Sequence, residues 1–186
     1  MREIALHIMD IAENGIAAGA DCIQIVVNEA RKENRLKIEL SDNGTGIPPD
    51  ILAKVTDPFV TSRTTRRVGL GLSLLKAAAE RCEGNFVIES EVGKGTRVTA
   101  AFRYDHIDRA PVGDMAGSVP LLIISHPKID FVYVHIIDGR EFVLDTRIYF
   151  SPGRKEPDAP LLTDPSVFFQ LTEIIREAIS ELAIES

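Results

Sequence analysis

Aliphatic residues at Ile4, Ile8, Ile11, Ala12 and Ile16 recur with the spacing of one helix face. They predict an amphipathic helix over residues 3–18, ended by Gly19. The period then drops to two. Strands are expected at about 22–28 and 35–42, the second alternating through Leu36, Ile38 and Leu40. Pro48-Pro49-Asp50 opens a short helix reaching about Val55, and residues 57–68 carry no period, as a loop would. A second long helix is expected from Leu70 to Glu83, stopped by Gly84. Strands at 85–91 and 96–104 follow, split by the turn residues Gly93-Lys94-Gly95. This order implies an α+β fold, a two-layer α/β sandwich with helices on one face of a mixed sheet.

Beyond residue 104 the pattern changes. Residues 105–118 are rich in Gly, Pro and Asp, and 119–126 is a short apolar run that suits a helix or a buried strand. We read it as a helix with Ser118 as N-cap and Pro120 in the first turn. Strands at 131–137 and 140–149 flank Asp138-Gly139, a two-residue hairpin signal. A Pro/Gly-rich linker at 152–160 leads to a final helix over 165–183, capped by Asp164 with Pro165 at its first position. Its apolar stripe is Val167, Leu171, Ile174, Ala178 and Leu182. The expected organisation is a domain over 1–104 and a small C-terminal α/β extension over 105–186.

Composition narrows the classes. The 186 residues are 45% hydrophobic and 26% charged, a globular balance, and long enough to bury a core. A net charge of −7 argues against unaided binding to nucleic acid or to an anionic membrane. Cys22 and Cys82 have no metal-ligand spacing. No apolar run approaches the ~20 residues that span a bilayer, and the polar first twenty residues lack signal-peptide anatomy, so a cytoplasmic location is expected.

Three stretches carry candidate chemistry. Asp10 and Asn14 lie four residues apart and share a helix face. A carboxylate and an amide oxygen are hard donors of the kind Mg²⁺ takes alongside phosphate and water. A solvated surface pair explains the same residues. The stretch Asp42-Asn43-Gly44-Thr45-Gly46-Ile47 ends a strand with a carboxylate followed by two glycines. The stretch Gly69-Leu70-Gly71-Leu72 sets two glycines at a helix start, where backbone N–H groups and the helix dipole favour anions. Just upstream lie Thr61, Ser62, Arg63, Arg66 and Arg67, hydroxyls and guanidinium groups within an acidic chain.

The order of these pieces, with Asp57-Pro58-Phe59 and Gly95-Thr96 added, resembles the ATP-binding domain of gyrase, the large heat-shock chaperones, histidine kinases and MutL. ENGIAAGADCIQI is most similar to the MutL version. DPFVTSR, GLGLSLLK and SEVGKGTRV are most similar to the histidine-kinase version. The resemblance covers residues 1 to about 104 and implies ATP and Mg²⁺ as ligands. It implies that Asn14 holds Mg²⁺ and that Asp42 accepts a hydrogen bond from the adenine amino group. Gly44, Gly46 and Ile47 would lie against the base, with Thr96 supporting the same end. Residues 57 to 70 would form a lid over the nucleotide, anchored by Phe59. Thr61, Ser62 and Arg63 belong to that lid, and Gly69, Leu70, Gly71 and Leu72 lie at the phosphates.

Asp10 stands where hydrolysing relatives carry a glutamate general base, and where most histidine kinases carry an amide. It is the candidate catalytic residue, with Glu13 a lesser one. His7, on the same helix face as Asp10, either orients it or is a satisfied structural histidine. No phosphoacceptor hairpin is expected before the first box, and His106, His126 and His135 sit on no amphipathic hairpin. The implied activity is slow ATP hydrolysis or phosphoryl transfer to a partner protein. The alternative is a nucleotide-sensing or complex-assembly module without chemistry. The continuation HIDR…GDM resembles short bacterial proteins associated with hydrogenase gene clusters, which points to a hydrogenase-related or signalling partner.

Overall fold

The computed structural model describes residues 3–55, 70–150 and 164–184. The loop expected at 57–68 and the linker expected at 152–160 lie outside the described residues. Helix α1 (Ile4–Ala17) leads into the antiparallel pair β1 (Cys22–Ala30) and β2 (Arg35–Asp42). A single turn, α2 (Pro49–Leu52), and helix α3 (Leu70–Arg81) precede the hairpin β3 (Asn85–Glu91) and β4 (Gly95–Arg103). Then come α4 (Met115–Ser125), the hairpin β5 (Asp130–Ile137) and β6 (Arg140–Asp145), the short α5 (Thr146–Phe150) and α6 (Pro165–Ile184).

The six strands form one mixed sheet in the order β3-β4-β2-β1-β5-β6. Strand β5 runs parallel to β1, with Ile25 opposite Tyr133, so the strands after residue 104 continue the sheet begun before it. Alternation places Val98, Leu40, Ile25, Tyr133 and Leu144 in one buried row across five strands. The neighbouring row, Thr99, Glu39, Val26, Val134 and Val143, is half-buried or exposed. Helices α1, α3, α4 and α6 cover the buried face and share one core with it. Each fully buried aliphatic side chain there contributes about 1.5–3 kcal/mol.

Local expectations needed three corrections. The run 119–126 is helical, but the helix begins earlier, at Met115. Its cap is Asp114, whose carboxylate accepts from the Gly117 N–H at 2.9 Å, and Ser118 and Pro120 therefore lie inside it. The strand expected at 140–149 ends at Asp145, where the Thr146 hydroxyl turns back to accept the Phe131 N–H and a helical turn follows. In α6 the fully buried stripe passes through Ile175, while Ile174 and Ala178 are only half-buried. The Asp138-Gly139 turn is as expected: φ is 47° and 88°, the left-handed pair that the two-residue hairpin demands.

Helix α1 has no side-chain cap at Glu3. Its first N–H groups are met from afar instead, Ile4 by the Pro111 carbonyl at 3.0 Å and Ala5 by the Val112 carbonyl at 2.7 Å. A second tie lies at the other end of the buried sheet face. Glu29 of β1 accepts from His135 of β5 at 2.9 Å and from the Tyr104 hydroxyl at 2.9 Å, and it pairs with Arg31 at 3.2 Å. Tyr133 donates to the other ring nitrogen of His135 at 2.6 Å, so both ring nitrogens of His135 are satisfied. Burial by itself would raise the Glu29 carboxyl. The hydrogen bonds from His135 and Tyr104 outweigh it and bring the pKa from 4.5 down to about 2.

Glu29→Gln is expected to cost about 1.5–3 kcal/mol near neutral pH, the range for hydrogen bonds to a charged group. Because the folded-state pKa is depressed, the stabilisation is complete above pH 4.5 and is lost as pH falls toward 2. Urea unfolding of both proteins across that window should show the gap closing. A gap independent of pH would refute the assignment of the charge.

Candidate functional site

A cleft opens at the end of β2, between α1, the loop 43–48, the start of α3 and β4. Ile23, Leu40 and Val98 form its apolar floor, and Ile11, Ala12, Ile47 and Leu72 form its walls. Asn14, Asp42, Gly46 and Thr96 bring the polar groups. Six sequence-derived candidates, Asn14, Asp42, Gly46, Ile47, Leu72 and Thr96, thus line a single cleft. Phe59, Thr61, Ser62, Arg63 and Gly69, with the Leu70 side chain, lie outside the described residues.

Asp42 is half-buried at the cleft's closed end. Burial pushes its carboxyl up from the ordinary value, while N–H donors of Gly44 and Thr96 pull it back. The Gly44 bond, at 2.9 Å, occupies Oδ1. Oδ2 lies beside Gly15 of α1, where a methyl group would come within 2.9 Å of the Asp42 Cβ. The arrangement can accept a hydrogen bond from an amino group and offers nothing to a carbonyl oxygen.

The loop after Asp42 is fastened at Asn43, Gly44, Thr45 and Ile47. The Asn43 side chain accepts from the Asp21 and Cys22 N–H groups, both at 3.0 Å. Thr45 donates its N–H to Ala18 and accepts from Gly93. Ile47 donates its N–H to the Ser90 hydroxyl at 2.8 Å. Ser90 has one proton, which goes to the Gly95 carbonyl, so Thr96 donates to Ser90 at 2.9 Å and keeps a lone pair for the cleft. Two glycines permit this closeness. Gly46 has φ 70° and a Cβ there would lie 2.1 Å from the Glu91 carbonyl oxygen. At Gly95, φ 107°, it would lie 1.9 Å from the Asp42 carbonyl oxygen.

Sequence reading missed Ser90, Asn43 and Gly15. Ser90 faces Thr96 across the β3–β4 hairpin, so pairing the strands about Gly93 would have found it. Gly15 carried no local signal, since only the packing of α1 on β2 explains it.

On α1, Asn14 is half-buried and Asp10 exposed one turn earlier. The Asp10 side chain packs on Gly71, where a methyl group would lie 3.0 Å from its Cβ. Glu13 points elsewhere and pairs with His126, the residue that ends α4, at 3.0 Å. His7 is buried, at 4% exposure, but it is not a satisfied histidine, since its Nδ1 has no partner. Among the described residues no three His, Cys, Asp or Glu side chains gather as a metal cage. The Asn14 amide oxygen suits a Mg²⁺ ion whose other ligands are phosphate oxygens and water.

The profile of the histidine kinase-, DNA gyrase B- and HSP90-like ATPase family matches residues 2–106. The sensor kinase CckA of Brucella abortus (strain 2308) is 30% identical over 120 residues, 56% of this chain and 13% of that kinase. Sporulation kinase D of Bacillus subtilis (strain 168) is 34% identical over 92 residues, 50% of this chain and 18% of that kinase. The chain spans less than a fifth of either relative's length. The crystal structure of the N-terminal domain of a DNA repair protein superposes with a TM-score of 0.55 at 17% identity, covering 78% of this chain and 53% of that one. That likeness concerns the fold alone.

Ser90→Ala removes the acceptor of the Ile47 N–H and the partner of Thr96. A loss of about 1–3 kcal/mol is expected, the cost of leaving half-buried polar groups unpaired. Urea unfolding measures it, and an unchanged midpoint would show that water replaces the hydroxyl without cost.

Proposed function

The chain belongs to the histidine kinase-, DNA gyrase B- and HSP90-like ATPase family, and on that premise we propose that it uses Mg-ATP to phosphorylate a partner protein or, more slowly, water. ATP binding follows from the family; the transfer, its acceptor and the ion are our reading. The observation that carries it is the position of Asp10, an exposed carboxylate lying against Gly71 and one turn before Asn14.

Asp42 takes the adenine end. Its carboxylate accepts from the exocyclic amino group, with Thr96 beside it and Ile47, Leu72 and Val98 on the ring faces. Asn14 contributes its amide oxygen to Mg²⁺, which when bound neutralises phosphate charge. Asp10 accepts the proton of a water or of a partner's side chain as that oxygen bonds to the γ-phosphorus. The bond to the β–γ bridging oxygen breaks, and ADP leaves with the electron pair. The helix dipole of α3 favours the negative charge there. The named kinases among the relatives support transfer over sensing. A second reading, a nucleotide sensor without chemistry, draws on the Glu13–His126 pair, which ties α1 to the region after residue 104.

Two results test the assignment. Asp42→Ala is expected to abolish ATP binding with the fold intact, and wild type to prefer ATP over GTP by up to ~10⁴ in calorimetry. Equal affinity for both nucleotides would sink the adenine assignment. With γ-labelled ATP, Asp10→Asn is expected to lower turnover at least ~100-fold while Mg-ATP affinity holds. Turnover at the wild-type rate in Asp10→Asn would remove Asp10 as the base, and intact γ-phosphate after long incubation with wild type would favour the sensor reading.

A further inference from the structure

Ser90, Thr96 and Asp42 stand in one row across β3, β4 and β2, each directly opposite the next. Residues paired in this way carry their side chains on the same face of a sheet. Thr96 and Asp42 line the cleft, with Ser90 the next residue outward in the row. The Ser90 hydroxyl has three hydrogen-bonding neighbours, and one arrangement of protons satisfies all of them. The Gly95 carbonyl, at 2.9 Å, can only accept, so it takes the single Ser90 proton. The Ile47 N–H, at 2.8 Å, can only donate, and it fills one Ser90 lone pair. The Thr96 hydroxyl, at 2.9 Å, therefore donates into the other.

A threonine hydroxyl left to itself rotates to suit either a donor or an acceptor. Here its proton is already spent on Ser90, so Thr96 meets a ligand with lone pairs alone. Asp42, beside it in the row, brings a carboxylate, with Oδ1 already engaged by the Gly44 N–H. From this row we infer that Ser90 is a positioning residue for base selection. By holding the Thr96 proton it makes the edge of the cleft that reads the base all acceptor. Such an edge takes a purine with an amino group at ring position 6. It turns away one with a carbonyl there, whose oxygen would face acceptors and stay unpaired. This inference rests on the Mg-ATP reading of the site. It adds to Asp42 a control on the adaptable hydroxyl next to it, which Asp42 by itself does not supply.

The test titrates the full chain by calorimetry with Mg-ATP and with Mg-ITP, the inosine nucleotide, which carries a carbonyl at ring position 6. Wild type is compared with Ser90→Ala, with Ser90→Cys, whose thiol is too weak a partner to hold the Thr96 proton, and with Ser90→Thr. In Ser90→Ala and Ser90→Cys the freed Thr96 hydroxyl can donate to the inosine carbonyl. The preference for Mg-ATP over Mg-ITP is therefore expected to narrow by ~10-fold, the scale of one hydrogen bond gained. Ser90→Thr, which keeps a hydroxyl, is expected to hold the wild-type preference. A purely structural role, such as support of Ile47, would weaken both nucleotides alike and leave their ratio unchanged. An unchanged ratio in Ser90→Ala and Ser90→Cys overturns the inference, as does a ratio narrowed equally in Ser90→Thr. Either result leaves the wild-type preference for Mg-ATP, and the reading of the site, in place. Wild type that binds neither nucleotide, or both equally, overturns that reading and this inference with it.

Discussion

Asp42 can stand where it does only because three glycines, spread over eighty positions of sequence, leave it room. A methyl group at Gly15 would press on its Cβ, one at Gly44 would sit 3.0 Å from its Oδ1, and one at Gly95 would collide with its carbonyl oxygen. Each glycine belongs to a different part of the chain: the end of α1, the loop after β2, and the start of β4. Their convergence brings a helix, a loop and a hairpin within bonding distance of one carboxylate. The apolar cleft follows from it, since a helix pushed off by a side chain at position 15 would no longer meet the strand end.

The same economy of contact governs the two ends of the cleft. At the Asp42 end the Gly44, Thr45 and Ile47 N–H groups each have a partner, and the partners come from up to 43 residues away, as Ile47 and Ser90 do. Interactions of this kind are worth little singly, but an unpaired donor in a half-buried loop is costly, so the set holds together or fails together. Where α1 meets α3, the contact is that of the Asp10 side chain on Gly71.

The region after residue 104 is joined to the site by structure rather than by sequence neighbourhood. Strand β5 enters the sheet parallel to β1, its His135 reaches Glu29, and the segment before α4 caps the first N–H groups of α1. Glu13, beside the proposed Mg²⁺ ligand in sequence, turns away to His126 at the C-terminal end of α4. Helix α1 is therefore bonded directly to this region.

The sequence by itself determined the elements and the chemistry that depend on local period and order. The 3.6-residue spacing of Ile4, Ile8 and Ile11, the alternation of Leu36, Ile38 and Leu40, and the Asp138-Gly139 turn each specify one conformation through nearest-neighbour sterics. The spaced boxes around Asn14, Asp42 and Gly71 pointed to a nucleotide site for the same reason, as order along the chain survives folding. What only tertiary structure decided were matters of competition between distant groups. Asp114 rather than Ser118 caps α4 because the preceding segment delivers it to the free N–H. Ile175 rather than Ile174 is fully buried because the core, not the helix, chooses the face. The roles of Gly15 and Ser90 stayed hidden, because space and a shared hydroxyl exist only once two remote surfaces touch.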